Sequence, residues 1–218
     1  MRKWTLAFFI LMVASTSAWA ADSASNRKDT LLWIGYQPVG VHVPTVAAPP
    51  LHMGISLTDN FVFGVDSGEQ TYTDTVEGSD VSLTYSNQGA WARWFVGNSF
   101  YLKAGYHQRT WDATGTYTEV WTSTYSTATY TAKANIKAEA QVASFGIGNI
   151  WLFDAGFYIG ADWFVAESVL SGKHSYTITS NTGIDTATAQ EEFDLMGQTM
   201  NQISGLGGAA IFTLGWAF

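Results

Sequence analysis

The chain of 218 residues contains no cysteine. That excludes disulfides, thiolate metal sites and the lipidated cysteine of an anchored lipoprotein. Charged residues make up 13% of the chain, about half the ~25% usual for soluble domains. Basic residues are scarcer still, 10 against 18 acidic, for a net charge of -8. Phosphate binding needs clustered Lys and Arg, so nucleic acid is excluded as a partner. No stretch after residue 20 approaches the ~20 consecutive apolar residues of a spanning helix. Metal and phosphate motifs (HxH, HExxH, EF-hand and nucleotide-binding glycine loops) are missing too, so no cofactor is expected.

What is abundant is apolar and aromatic. Hydrophobic residues reach 47% and aromatics 15%, with 10 Trp. A chain this poor in charge must hide much of its surface from water or cover it with neutral polar groups. A transmembrane β-barrel does both, with an apolar outer face and loops rich in Ser, Thr, Asn and Tyr.

Residues 1–20 have the layout of a secretory signal peptide. Arg2 and Lys3 precede the apolar run Trp4 to Val13, and Ala18-Trp19-Ala20 supplies a small-x-small cleavage site. Removing this leader moves the net charge from -8 to about -10. Residues 21–29 are small and polar and read as a flexible tail, leaving residues 30–218 as one domain.

That domain alternates with a period of two. In "SFYLKAGYHQRTWD" (Ser99 to Asp112), Phe100, Leu102, Ala104 and Tyr106 share one face, and Lys103, His107 and Arg109 the other. Gly97-Asn98 joins this segment to Asp80–Val96, where the apolar phase slips between Tyr85 and Ala90. The slip predicts a β-bulge near Asn87-Gln88-Gly89. Asp59-Asn60 joins "LHMGISLT" to "FVFGVDSGEQTYT", and a turn near Asp154-Ala155 joins "KAEAQVASFGIGNIWLF" to "GFYIGADWFVAES". In the latter, Phe157, Ile159, Ala161, Trp163 and Val165 form the expected outward stripe. Asp-Asn and Gly-Asn suit tight hairpins because they tolerate positive φ. Three hairpins, a first strand at Thr30 to Gln37 and a last at Gly205 to Phe218 predict an all-β fold. It is a closed eight-stranded antiparallel transmembrane barrel, with both termini on the tight-turn side.

Four long connections then lie at the other end: Pro38 to Pro50, which holds all 4 prolines, acidic Gly68 to Gly78, Thr114 to Asn135, and Ser168 to Ser204. Thr114 to Asn135 is expected to be a hairpin standing beyond the membrane. In the last connection the period changes. Ala189, Phe193, Met196, Met200 and Ile203 recur at helical spacing and predict one short amphipathic helix near residues 188–203, which Gly197 weakens. "GLGG" (Gly205 to Gly208) precedes a strand rather than a helix and suits close packing at the mouth.

The last segment is "IFTLGWAF". Phe212, Leu214, Trp216 and Phe218 share one face, and Thr213, Gly215 and Ala217 the other; Ile211 is an apolar exception on the second. This aromatic stripe resembles the C-terminal signature of bacterial outer-membrane proteins. With the leader and the strand count, the mature chain resembles the small eight-stranded OmpA/OmpX-type class. The resemblance implies an outer-membrane location with periplasmic termini, assembly by the barrel-assembly machinery, and contact with outer-membrane lipid and lipopolysaccharide.

Alternation places Asp66, Arg93, Lys103, Arg109, Glu139 and Asp162 inside. Eight strands enclose a lumen that side chains nearly fill, so these charges are expected to pair as a polar plug. The expected role is structural or surface contact with an unspecified extracellular ligand, the alternative a narrow conduit for small apolar solutes. A lipid-modifying enzyme is the third reading. It would need His42, His52, His107 or His174 near a Ser or carboxylate at the outer rim, and none stands in a catalytic motif; Ser175 beside His174 would point to the opposite face.

Overall fold

The alternation folds into strands that close on themselves. The computed structural model describes residues 23–41, 50–76, 79–122, 127–180 and 186–218. The expected signal peptide, His42 and most of the first long connection lie outside the described residues.

Eight strands form the ring: β1 Leu32–Val41, β2 Leu51–Thr58, β3 Phe61–Val76, β4 Ser79–Phe95, β5 Phe100–Thr122, β6 Thr127–Leu152, β7 Phe157–Ser180 and β8 Gly208–Ala217. Each pairs antiparallel with its neighbours, and β8 returns to β1 to make a closed barrel. Closure leaves no edge at the seam, where the Phe218 N–H donates to the Leu32 carbonyl at 2.8 Å. The three tight turns lie at 59–60, 96–99 and 153–156, with Gly156 at φ 79° in the last. The outward stripe of β8 is as expected: Phe212, Leu214, Trp216 and Phe218 are exposed, while Thr213 and Ala217 are buried. With Met53, Ile55, Phe63, Val65, Trp94, Tyr106, Phe145 and Phe164 they make an apolar belt around the wall. Ile211 is buried inside, against Gly40, which leaves no room there for a Cβ.

Several sequence expectations change. Gly68 to Gly78 is no loop as far as Val76: β3 continues, paired with β4 in unbroken register. β1 likewise runs through Pro38 to Val41, and β7 to Ser180. The result is an arm of β3 to β7 extending beyond the short strands β1, β2 and β8, with the expected Thr114–Asn135 hairpin at its longest part.

The predicted bulge at Asn87-Gln88-Gly89 does not exist, since β4 holds register with both neighbours from Asp80 to Trp94. Odd-numbered residues face inward from Leu83 to Phe95, so the phase slip records a change of what each face meets, as shown below. The register breaks elsewhere: along the β1–β8 seam between Tyr36 and Val41, between Ser56 and Thr58 in β2, and at two bulges in β7. Trp163 and Leu170 are extra residues relative to β6, where Ile147 pairs Phe164 but Gly148 pairs Asp162, and Val142 pairs Val169 but Gln141 pairs Ser171. The bulge at Trp163 inverts the parity, so Phe164 faces out and Val165, expected outside, is buried. The indole N–H of Trp163 donates to Asn149 Oδ1 at 2.7 Å and fixes the irregularity. Ala161, also expected outside, is fully covered.

Two helices complete the fold. Residues 21–29, expected to be a flexible tail, include helix α1 (Ser23–Lys28), docked beneath the barrel. The predicted late helix is α2 (Thr186–Ile203). It packs inside the arm against β6 and β7, with Phe193 stacked on Tyr176 at 5.8 Å. Gly197 is the contact point rather than a weakness, because a Cβ there would lie 2.6 Å from the His174 ring. Met196, on the predicted apolar stripe, sits on the exposed side.

Candidate functional site in the packed lumen

Four layers fill the barrel from the tight-turn end to the arm. The first is α1. The Arg27 guanidinium donates to the carbonyls of Asp59 and Gly97, each at 3.2 Å, and to that of Asn98. It also lies 4.1 Å over the Phe95 ring. Asn26 donates to Leu152 O and Asp154 Oδ1, both at 3.0 Å, and the Leu152 N–H donates to Ser23 Oγ at 3.1 Å. Six residues thus tie all three tight turns together.

The second layer is aromatic and apolar. Trp33 meets Tyr158 at 5.2 Å and Phe95 at 6.4 Å, and Phe95 meets Tyr101 at 5.6 Å. Val62, Trp91, Ile150 and Leu152 complete a buried cluster. Large rings fit because glycines face them. A Cβ on Gly64 would fall 2.3 Å from the Trp91 ring, and one on Gly35 would fall 2.0 Å from the Tyr158 hydroxyl.

The third layer holds most of the expected charge set. Lys103 and Asp162 pair at 2.9 Å, and Asp162 also accepts from the Tyr101 hydroxyl. Arg93 is 1% exposed and forms no ion pair among the described residues; it stacks over Trp91 at 4.3 Å and Tyr101 at 5.2 Å. Asp66 accepts from Asn87 Nδ2 at 3.3 Å and faces two histidines, His107 Nδ1 at 3.4 Å and His52 Nδ1 at 3.8 Å.

The fourth layer joins barrel to helix. Arg109 donates to Asn87 Oδ1 at 3.1 Å, to both Glu167 oxygens at 2.7 and 2.8 Å, and to the Ser204 carbonyl at the end of α2. Trp111 Nε1 donates to Ser204 Oγ at 2.8 Å. Tyr85 and Trp111 meet at 4.3 Å, with Leu83, Met200 and Ile203 packed against them. This is why the apolar phase slips along β4. Below Asn87 the outward face, with Trp94 and Val96, carries the apolar belt; above it, the inward face meets a helix.

Five of the six expected plug residues therefore lie inside: Asp66, Arg93, Lys103, Arg109 and Asp162. Glu139 does not. On β6 the even residues Ile136, Ala138, Ala140 and Val142 are the buried set, and Glu139 faces outward. It bridges Lys137 and Lys173, each at 2.8 Å, on the outside of the arm above the apolar belt. Hydrogen bonds from Lys137 and then Lys173 hold its carboxyl down to about 2. Alternation had grouped it with the lumen because its strand face is polar, but beyond the belt the polar face is the outer one.

Sequence reasoning missed Glu167, because the Trp163 bulge shifts its parity to the inside, and Asn87, which fell at the expected bulge. His107 lies on the inward face expected from alternation, and His52 joins it at Asp66. His107 Nε2 stands 3.2 Å from Ser144 Oγ as well as near Asp66, and His174 Nε2 stands 3.2 Å from Asp194 at the arm. The Ser144–His107–Asp66 line has the order of a nucleophile, base and orienting acid. All three are 9% exposed or less, on strand positions between sealed layers. A Cβ on Gly105 would fall 2.6 Å from Ser144 Oγ and 2.8 Å from His107 Nε2, so the strand backbone packs directly on the pair.

No family model matches the chain, and a search of curated proteins finds no match. Among solved structures, the crystal structure of Acinetobacter baumannii CarO is similar to this chain. The likeness covers 87% of this chain and 97% of that one, with a TM-score of 0.45 and 10% sequence identity.

Proposed function

We propose that the chain is an integral outer-membrane barrel with a non-enzymatic role, structural or in surface contact. Its tight turns and both termini lie on the periplasmic side, and its arm faces outward. The apolar belt supports insertion. Side chains this large and this exposed are unfavourable in water and are stable against acyl chains, where a closed barrel satisfies all backbone groups. The stripe of Phe212, Leu214, Trp216 and Phe218 is the element we assign to recognition by the barrel-assembly machinery. Outer-leaflet lipid and lipopolysaccharide are the surroundings such a belt requires.

The observation that carries the non-transporting reading is the stack of four layers. Lumen charges balance, with Arg93, Lys103 and Arg109 against Asp66, Asp162 and Glu167, and apolar packing lies on both sides of them. A conduit for small apolar solutes would need an open apolar passage, and the second layer is packed with rings. Planar-bilayer recording on the refolded protein tests this. The expected outcome is insertion without discrete conductance. Stable unitary currents that change when Arg93 is replaced would overturn it.

One observation favours a second reading, hydrolytic chemistry, namely the Ser144–His107–Asp66 line. Its enclosure favours a structural use, in which Ser144 and Asp66 fix the His107 ring.

A further inference from the structure

Where the short strands end, α2 and the upper part of β7 flank an open groove of about 500 Å³ on the arm side of the fourth layer. Its size falls in the range of ~300–1,000 Å³ typical of small-molecule sites. Ser168 and His174 line it from β7, and Gln198, Asn201 and Gln202 from α2.

The charged groups of this lining are already committed to partners. Glu167, which also lines it, is held bidentately by Arg109. His174 is held by Asp194. Beside Val169, Gly172 and Gly205, what remains are three carboxamides and a hydroxyl, groups that each donate and accept hydrogen bonds but carry no charge. Asn201 Oδ1 is buried and has no hydrogen-bond partner among the described residues. The position is built for it, since its amide lies against Gly172, where a Cβ would fall 2.9 Å from Asn201 Cγ.

We propose that this groove binds a neutral oligosaccharide of two or three rings. Sugar hydroxyls both donate and accept, as carboxamides do, whereas an anion or cation would find no uncommitted counter-charge. The inference gives chemical content to the surface-contact role and rests on the arm facing outward.

The test uses the full barrel folded in a detergent without a sugar headgroup. Maltotriose, mannotriose and chitotriose are the neutral probes, glucose and galactose the single-ring controls, and trigalacturonate the charged control. Binding is read by saturation-transfer NMR and calorimetry. At least one neutral trisaccharide should bind saturably, more than tenfold tighter than single rings or trigalacturonate. Gln198→Ala, on the exposed side of α2, and Asn201→Ala should each weaken binding at least tenfold, and Gly172→Ala should do the same by displacing Asn201. Heat-modifiable mobility of each variant confirms that the barrel is intact. Absence of binding by all three trisaccharides overturns the proposal, as does binding that survives Gln198→Ala and Asn201→Ala together. Failure of the outer-membrane reading would show separately, as failure to insert into vesicles.

Discussion

Arg109 and Glu167 form a bidentate ion pair, at 2.7 and 2.8 Å, across 58 residues of sequence. Both side chains are 2% exposed. One is placed by regular alternation on β5, the other by a bulge on β7. The pair is the joint between barrel and helix, since Arg109 also reaches Asn87 and the Ser204 carbonyl. Removing one partner of a buried pair leaves an uncompensated charge, at a cost of ~3–5 kcal/mol. Arg109→Ala and Glu167→Ala should each lower stability by about that much in urea unfolding from lipid vesicles. The double variant should lose less than the sum, because neither orphan charge remains.

Arg27 offers a contrasting case at the other mouth. Its guanidinium binds carbonyls of two tight turns and covers the Phe95 ring. Arg27→Ala should leave the barrel inserted but speed amide exchange at Asn60, Gly97 and Asn98. Unchanged exchange would mean that α1 merely rests on the turns.

The apolar belt can be tested at one residue. Phe145 faces outward and is 53% exposed. A lysine near the midplane of a bilayer costs ~2–4 kcal/mol, so Phe145→Lys should destabilise the inserted protein by that order. Glu139→Gln, on the same strand face beyond the belt, should change stability by under ~1 kcal/mol, because exposed ion pairs contribute little. Equal penalties at the two sites would contradict the placement of the belt edge between them.

The enclosed Ser144–His107–Asp66 line yields a chemical test. A fluorophosphonate probe should fail to label the folded protein, and Ser144→Ala should leave the labelling unchanged. Stoichiometric labelling lost in Ser144→Ala would show an accessible nucleophile and reopen the hydrolytic reading.

Much of the architecture is legible in the residues themselves. Alternation, three tight-turn signals and the final aromatic stripe specify the number of strands, the hairpins and the outward face of β8, because a strand has two faces and a barrel makes them unequal. The 3.6-residue spacing of Phe193, Met200 and Ile203 likewise specifies a helix. What alternation does not specify is which face is inside, since polarity only says that two faces differ. Below the belt edge the outside is apolar, so Asp66, Lys103 and Asp162 were placed correctly. Above it the outside is polar and the inside is filled by α2, so Glu139 went to the wrong face and the apolar run at Leu83 and Tyr85 looked like a bulge. The real bulge at Trp163 carries no turn residue and became visible only through pairing. Tertiary structure alone decided these points, because they depend on what each face touches: acyl chain, water, helix or charge.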